Sequence, residues 1–360
     1  MCVKRHLAAL FCNALLLFGW AASDANAQPA AAAANIAAAN ALATRHVAAA
    51  KVAAYKPGHD FTWVFNQNCA EVVPPRTEAR RAAPARDARV PPRSEWYTEP
   101  AKVFDNLYYV GTQLQSMWAV TTSEGIILHD TAFNYMVKDS VEGGLKKLGL
   151  DPAQIKYIIV AHAHADHYLG AKYLQDTYKA RVIMSEADWK YMPKDFSEKD
   201  LTAGAGMPAK DIVATDGMKL TLGDTTLTLY VTPGHTPGTI STLIPVRDGN
   251  QRHLASLWGG SGVGYGEMVS AFPSYLDSVK TYAASAKRYK DIATKAGADV
   301  YLSSHTVHDK TLDKLNALKF RNPGDPHSFV SKDAVTRHLT LVAECAEAQV
   351  AWWTGKRSSD

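Results

Sequence analysis

Ala161-His162-Ala163-His164-Ala165-Asp166-His167 is the stretch whose reading decides the fold. Three imidazoles and one carboxylate fall within six consecutive positions, directly after the apolar run Ile155-Lys156-Tyr157-Ile158-Ile159-Val160. That run reads as a buried strand, and Asp166-His167-Tyr168 as the turn into a helix. In extended backbone alternate side chains point the same way, so His162 and His164 converge on one point. Asp166 and His167, past the turn, are free to aim at a neighbouring one. Neutral imidazole and carboxylate are the ligands that zinc takes in catalytic sites. A polar loop of merely solvated histidines would leave both the density and the alternation unexplained.

The rest of the chain divides by composition. Residues 1–27 read as a secretory signal peptide: Lys4 and Arg5, then the apolar stretch Leu7 to Trp20, then Ala25-Asn26-Ala27 as a small-x-small cleavage site. The apolar stretch is too short for a comfortable membrane span. The mature protein is therefore expected to be exported, to a bacterial periplasm, with no membrane attachment after cleavage. Cleavage leaves Cys69 and Cys345, which in an oxidising compartment either pair or remain two separate buried thiols. The net charge of +4 misleads. Removing Lys4, Arg5 and Asp24 leaves +3; residues 28–94 hold nine Lys/Arg against four Asp/Glu, or +5, so residues 95–360 carry −2. Basicity lies outside the region of the histidine motif, and nucleic-acid binding there is not indicated.

Residues 28–95 read as an extension. Its alanine-rich part, 28–54, has little to bury and suits a partly helical or flexible leader. Phe61-Thr62-Trp63-Val64-Phe65 is cohesive enough to dock on the main domain. Pro74, Pro75, Pro84, Pro91 and Pro92, with six arginines, form an extended linker. The compact domain spans 96–325, followed by a C-terminal helix within 326–360 packed on the same domain. Short strands are expected at 103–104, 107–110, 118–122, 126–128, 181–184, 227–231, 240–246, 254–258 and 300–302. Helices are expected over 134–149, after the motif through Leu169 and Leu174, over 274–296, and over 331–353 with Ser331 as N-cap. Residues 193–217 show no periodicity and read as a long loop bordering the site.

His162-Ala163-His164-Ala165-Asp166-His167 resembles the His-x-His-x-Asp-His signature of the metallo-β-lactamase superfamily. The resemblance covers about residues 96–325 and implies the αββα fold, an α/β sandwich of two packed mixed sheets covered by helices. It implies metals at one edge of the sandwich. Gly234-His235-Thr236-Pro237-Gly238 follows a strand, and its glycines suit a sharp turn presenting one histidine. By family order His235 joins His162 and His164 at the first metal, and His305 joins Asp166 and His167 at the second. His308, three residues on, competes with His305. Asp130, at an early strand end, is either a residue holding the histidine loop or an ordinary turn aspartate; His129 is given no role.

Relatives such as lactonases and glyoxalase-type thioesterases carry a bridging aspartate between the third and last histidines. Here that strand end reads Leu257-Trp258-Gly259-Gly260-Ser261-Gly262, with no Asp. The ligand cysteine of two β-lactamase subclasses is also absent there. The remaining pattern resembles the third subclass of metallo-β-lactamases, in some of which a serine near Ser261 holds the substrate carboxylate; Ser261 could equally be a plain turn residue. The resemblance implies a di-zinc hydrolase of a small-molecule substrate, opening a β-lactam amide with a zinc-bound hydroxide that Asp166 orients. Two alternatives stand beside it: an exported hydrolase of the same frame acting on a lactone, ester or other amide, and a non-catalytic zinc-binding protein.

Overall fold

A computed structural model describes residues 27–55, 60–69, 90–192, 206–262 and 272–357. Residues 1–26 of the expected signal peptide 1–27, most of the Pro/Arg-rich linker and residues 193–205 lie outside the described residues.

Twelve described strands form two sheets. The first runs in the order β1 (Ala101–Phe104), β2 (Leu107–Tyr109), β3 (Trp118–Thr122), β4 (Gly125–His129), β5 (Ile155–Ile159), β6 (Arg181–Ser185), β7 (Ile212–Ala214). It is antiparallel up to β4 and parallel from β4 onward. The second orders β12 (Val300–Ser303), β11 (Gln251–Trp258), β10 (Ile240–Asp248), β9 (Thr225–Val231) and β8 (Met218–Leu222), with only β11–β12 parallel.

The layers follow from which face each residue presents. Trp118, Ile127, Ile159, Ile183, Leu229, Ile244, Leu257 and Leu302 fill the space between the sheets. On β4, Ile126 and Leu128 point the other way, onto the helical layer, as the two-residue strand period requires. Both faces are thus covered, which is why β4 reads as a continuous apolar run. That layer comprises α3 (Asn134–Val137), which continues through a π turn over Lys138–Glu142 into α4 (Gly143–Lys147), then α5 (Ala165–Tyr168), α6 (Ala171–Tyr178) and α7 (Glu186–Tyr191). On the far side, α8 (Tyr275–Ala296) and α11 (Lys332–Arg357) cover the second sheet through Trp258, Tyr282, Tyr289, Leu339 and Val342. Two short helices, α9 (Thr306–Asp309) and α10 (Thr311–Leu318), follow β12. The result is the expected αββα sandwich.

Two expectations change. The alanine-rich stretch is a 28-residue helix, α1 (Ala27–Ala54), and it lies along α11 rather than forming a loose leader. Alanine favours helix most strongly of all residues, and its small side chain lets two helices close up. Ala43, Ala50 and Ala54 are buried, and a Cβ built on Gly355 of α11 would stand 2.6 Å from that of Ala39. A helix of alanines shows no strong apolar stripe; the apolar surface it covers belongs to its partner. Within the stretch read as a loop, residues 212–214 form β7, an edge strand too short to show alternation.

After α1, the short helix α2 (Thr62–Asn68) docks on the same layer, with Phe61 and Val64 buried. Burying two such side chains contributes roughly 1.5–3 kcal/mol each, enough to hold a seven-residue helix that would not form alone. Cys69 and Cys345 form a disulfide, tying α2 to α11. No helix among the described residues is long and apolar enough to cross a membrane.

Candidate metal centre

The candidate ligands sit on loops at strand ends along one edge of the sandwich: after β5 (His162, His164), at α5 (Asp166, His167), after β9 (His235) and after β12 (His305). Among the described residues, two groups bring His, Asp, Glu or Cys donor atoms within 4.8 Å of one another: His162, His164 and His235, and Asp166, His167 and His305. In the first, His235 Nε2 lies 3.2 Å from His162 Nε2 and 3.1 Å from His164 Nδ1. In the second, His167 Nε2 lies 3.2 Å from His305 Nε2, and Asp166 Oδ2 lies 3.6 and 3.5 Å from those two nitrogens. A tetrahedral ion with bonds of ~2.0–2.1 Å sets its ligands ~3.3 Å apart, so both groups fit a metal without rearrangement.

Tautomers agree with ligation. His235 Nδ1 stands 2.8 Å from the Gly262 carbonyl and His167 Nδ1 2.9 Å from Asp130 Oδ2. Each acceptor calls for a proton on Nδ1 and leaves Nε2 with its lone pair facing the site, the arrangement usual for a metal-bound histidine. Burial and then the neighbouring rings hold His162 and His235 well below the ordinary histidine pKa, so both stay neutral. For His167 burial acts the same way, but Asp166 and Asp130 outweigh it and its pKa is raised.

Asp130 does more than turn the chain. Its second carboxylate oxygen accepts from the Ala161 N–H at 2.7 Å, so one side chain fixes both the start of the histidine loop and the His167 ring. Burial opposes its ionisation, yet His167 and His129 outweigh that and hold it well below the carboxylate range. The backbone is strained to do this: Asp130 and Ala132 have φ of 62° and 56°, costing roughly 1–2 kcal/mol per residue for a side chain with a Cβ. His129 is buried beside Thr242 Oγ1 at 3.3 Å and takes no part in either group. His308 is buried with its ring 6.0 Å from that of His305 and belongs to neither group, whereas His305 stands with Asp166 and His167.

Asp188, on α7, has no counterpart in the sequence reading. Its carboxylate accepts from the Ala163 N–H (2.9 Å), the Gly238 N–H (2.7 Å) and the Thr236 hydroxyl (2.7 Å), joining the two loops that carry the first group. Burial pushes its pKa up to about 6 against those three bonds. The only local signal was Ser185 three residues earlier, which caps α7 through the Asp188 N–H. Asp188→Asn would turn an amide donor toward a backbone donor. We expect it to lower the unfolding free energy by roughly 2–3 kcal/mol, read from urea midpoints; a change below about 0.5 kcal/mol, that of an ordinary surface substitution, would reject the role.

The glycines around Ser261 have a steric reason. A Cβ on Gly259 would collide with the Ile240 carbonyl oxygen, and one on Gly260 would press to 3.2 Å on the Cβ of His235. The chain leaving β11 therefore passes tightly beneath the His235 loop and delivers the Ser261 hydroxyl 3.2 Å from His235 Nε2.

The family model of the metallo-beta-lactamase superfamily matches residues 110–248. Among solved structures, the fold is similar to BJP-1, a subclass B3 metallo-beta-lactamase of Bradyrhizobium japonicum (TM-score 0.59, 31% identity, covering 69% of this chain and 92% of that one). It is also similar to the FEZ-1 metallo-beta-lactamase of Legionella gormanii (TM-score 0.59, 25% identity, 69% and 93%). Among curated proteins, the N-acyl homoserine lactonase AttM of Agrobacterium fabrum is 35% identical over 111 residues, 28% of this chain; the match spans only 40% of the lactonase's length. With both candidate ligand groups assembled and 92% of a 31%-identical subclass B3 enzyme covered, this chain belongs to the metallo-beta-lactamase superfamily and resembles its subclass B3.

Proposed function

We propose that the protein is an exported di-zinc β-lactamase. The observation that carries this reading is the end of β11. Among the described residues 257–262 that leave it there is no aspartate or glutamate, and the Ser261 hydroxyl occupies the space beside His235. Similarity to two β-lactamases over most of their length supports it. The Cys69–Cys345 disulfide supports export, since such bonds persist in oxidising compartments.

In this reading His162, His164 and His235 hold one zinc and Asp166, His167 and His305 the other. When bound, the zinc pair supplies Lewis acidity and an activated water at neutral pH. The chain's own residues do the rest. Asp130 and the Gly262 carbonyl fix the tautomers of His167 and His235. Asp188 keeps the two histidine loops in register. Ser261, at the rim, donates its hydroxyl to the substrate carboxylate. The substrate in this reading is a small molecule, and the −2 charge of residues 95–360 gives no indication of nucleic-acid binding.

A second reading, lactone hydrolysis, is favoured by the sequence likeness to AttM. Purified mature protein, loaded with zinc, should open penicillins, cephalosporins or carbapenems with kcat/KM at least about tenfold above its value for N-acyl homoserine lactones, a difference of ~1.4 kcal/mol in transition-state binding. Turnover of the lactones with none of any β-lactam would sink the leading reading and install the second.

A further inference from the structure

His305 is delivered by a weak piece of structure. The helix that follows it, α9, is a single turn of four residues ending at Lys310 in a left-handed conformation (φ 58°). One turn has almost no stability of its own, yet metal–nitrogen bonds tolerate errors of only ~0.2 Å. Something outside the turn must fix it.

On one side the body of the domain does so. The Ser116 N–H donates to the Ser304 carbonyl at 2.9 Å, and the Thr306 N–H to the Leu114 carbonyl at 2.9 Å. The Thr306 hydroxyl reaches the Gln113 carbonyl at 2.7 Å. On the other side the grip comes from the N-terminal extension. Phe61 packs edge-on against Tyr301 of β12, 5.8 Å between centroids, and Trp63 of α2 packs edge-on against His308 at 5.0 Å. The His308 N–H in turn closes the turn on the His305 carbonyl at 3.1 Å. Asp60 stands 3.8 Å from the Lys310 ammonium at the end of the same turn. α2 is itself anchored: the disulfide fixes its C-terminal end to α11, and Gln349 donates to the Asn68 carbonyl at 2.8 Å.

We infer that the N-terminal extension positions the second metal group, with Trp63 on α2 bracing the His305 turn through His308 and the Cys69–Cys345 bridge holding α2 in place. The inference rests on the reading of Asp166, His167 and His305 as a metal site. Trp63 touches no ligand; it is a positioning residue. Its 38% exposure makes it removable without opening the core.

The test is a stepwise metal titration of the full mature protein against a competing chelator, read as two binding constants. The constant that Asp166→Ala abolishes identifies the second group. Trp63→Ala should weaken that constant about tenfold, the low end for loss of an outer partner of a metal ligand. The other constant and the urea midpoint of the metal-free protein should stay where they are. Trp63→Phe, which keeps an edge-on ring, should restore it, and Cys69→Ser should move the same constant in the same direction as Trp63→Ala. Two unchanged constants in Trp63→Ala, or both falling together with the urea midpoint, would overturn the inference alone. A wild-type protein that takes up only one metal would overturn it together with the two-metal reading.

Discussion

Asp166→Ala is expected to lower kcat/KM by ~10³-fold or more, equivalent to about 4 kcal/mol of transition-state stabilisation, while the protein stays folded. Asp166 is the one anionic side chain in the two candidate ligand groups. Burial works against its ionisation, but His167, His305 and His164 outweigh that and hold its pKa at about 2. It therefore brings a full negative charge to the second group at any pH at which the protein operates. Alanine leaves only His167 and His305 there, one donor and one negative charge short of the set that would hold the ion. Because Asp166 sits on the one-turn helix α5 at a partly exposed edge, its loss removes little packing. Steady-state kinetics with metal analysis should show one metal per chain and activity close to background; hydrolysis within tenfold of the wild type would refute the assignment.

On the proposed di-zinc reading, stripping the metals should abolish hydrolysis completely and destabilise the fold by ~4 kcal/mol per site when the free metal had stood at a thousand times Kd. Readdition of zinc should restore both. The two groups should also part company on acidification. His167 has a raised pKa, so it takes up a proton as pH falls through a value above that of an ordinary histidine, and that proton competes with the metal at Nε2. His162 and His235 are held well below the ordinary value and resist protonation to lower pH. The second metal should therefore leave first on acid titration, followed by mass spectrometry under native conditions or by metal analysis after filtration. Simultaneous loss of both metals, or a melting temperature indifferent to chelator, would contradict this arrangement.

Most of the site was legible in the chain. The run from Ile155 to His167 states a buried strand, a ligand alternation and a turn within thirteen residues, all governed by local geometry. His235 was legible from its glycines, one of which, Gly234, adopts φ of 129° while a Cβ there would collide with the Tyr282 backbone of α8. His305 was placed by resemblance in family order, because a lone histidine after a strand carries no chemistry of its own.

By itself, then, the sequence determined the strand–loop frame, the candidate ligands His162, His164, Asp166, His167 and His235, and the lack of an aspartate over residues 257–262, because strand periodicity and turn chemistry act over a few residues. Only the tertiary structure brought His305 rather than His308 beside Asp166 and His167, gave Asp188 its task and turned an alanine-rich stretch into a helix docked on α11. Each of those outcomes depends on groups brought together from distant parts of the chain, such as Ala163 with Gly238 or Trp63 with His308. Side chains that act through such contacts leave no periodicity to read; their role exists only once the sheets have stacked and the loops have met.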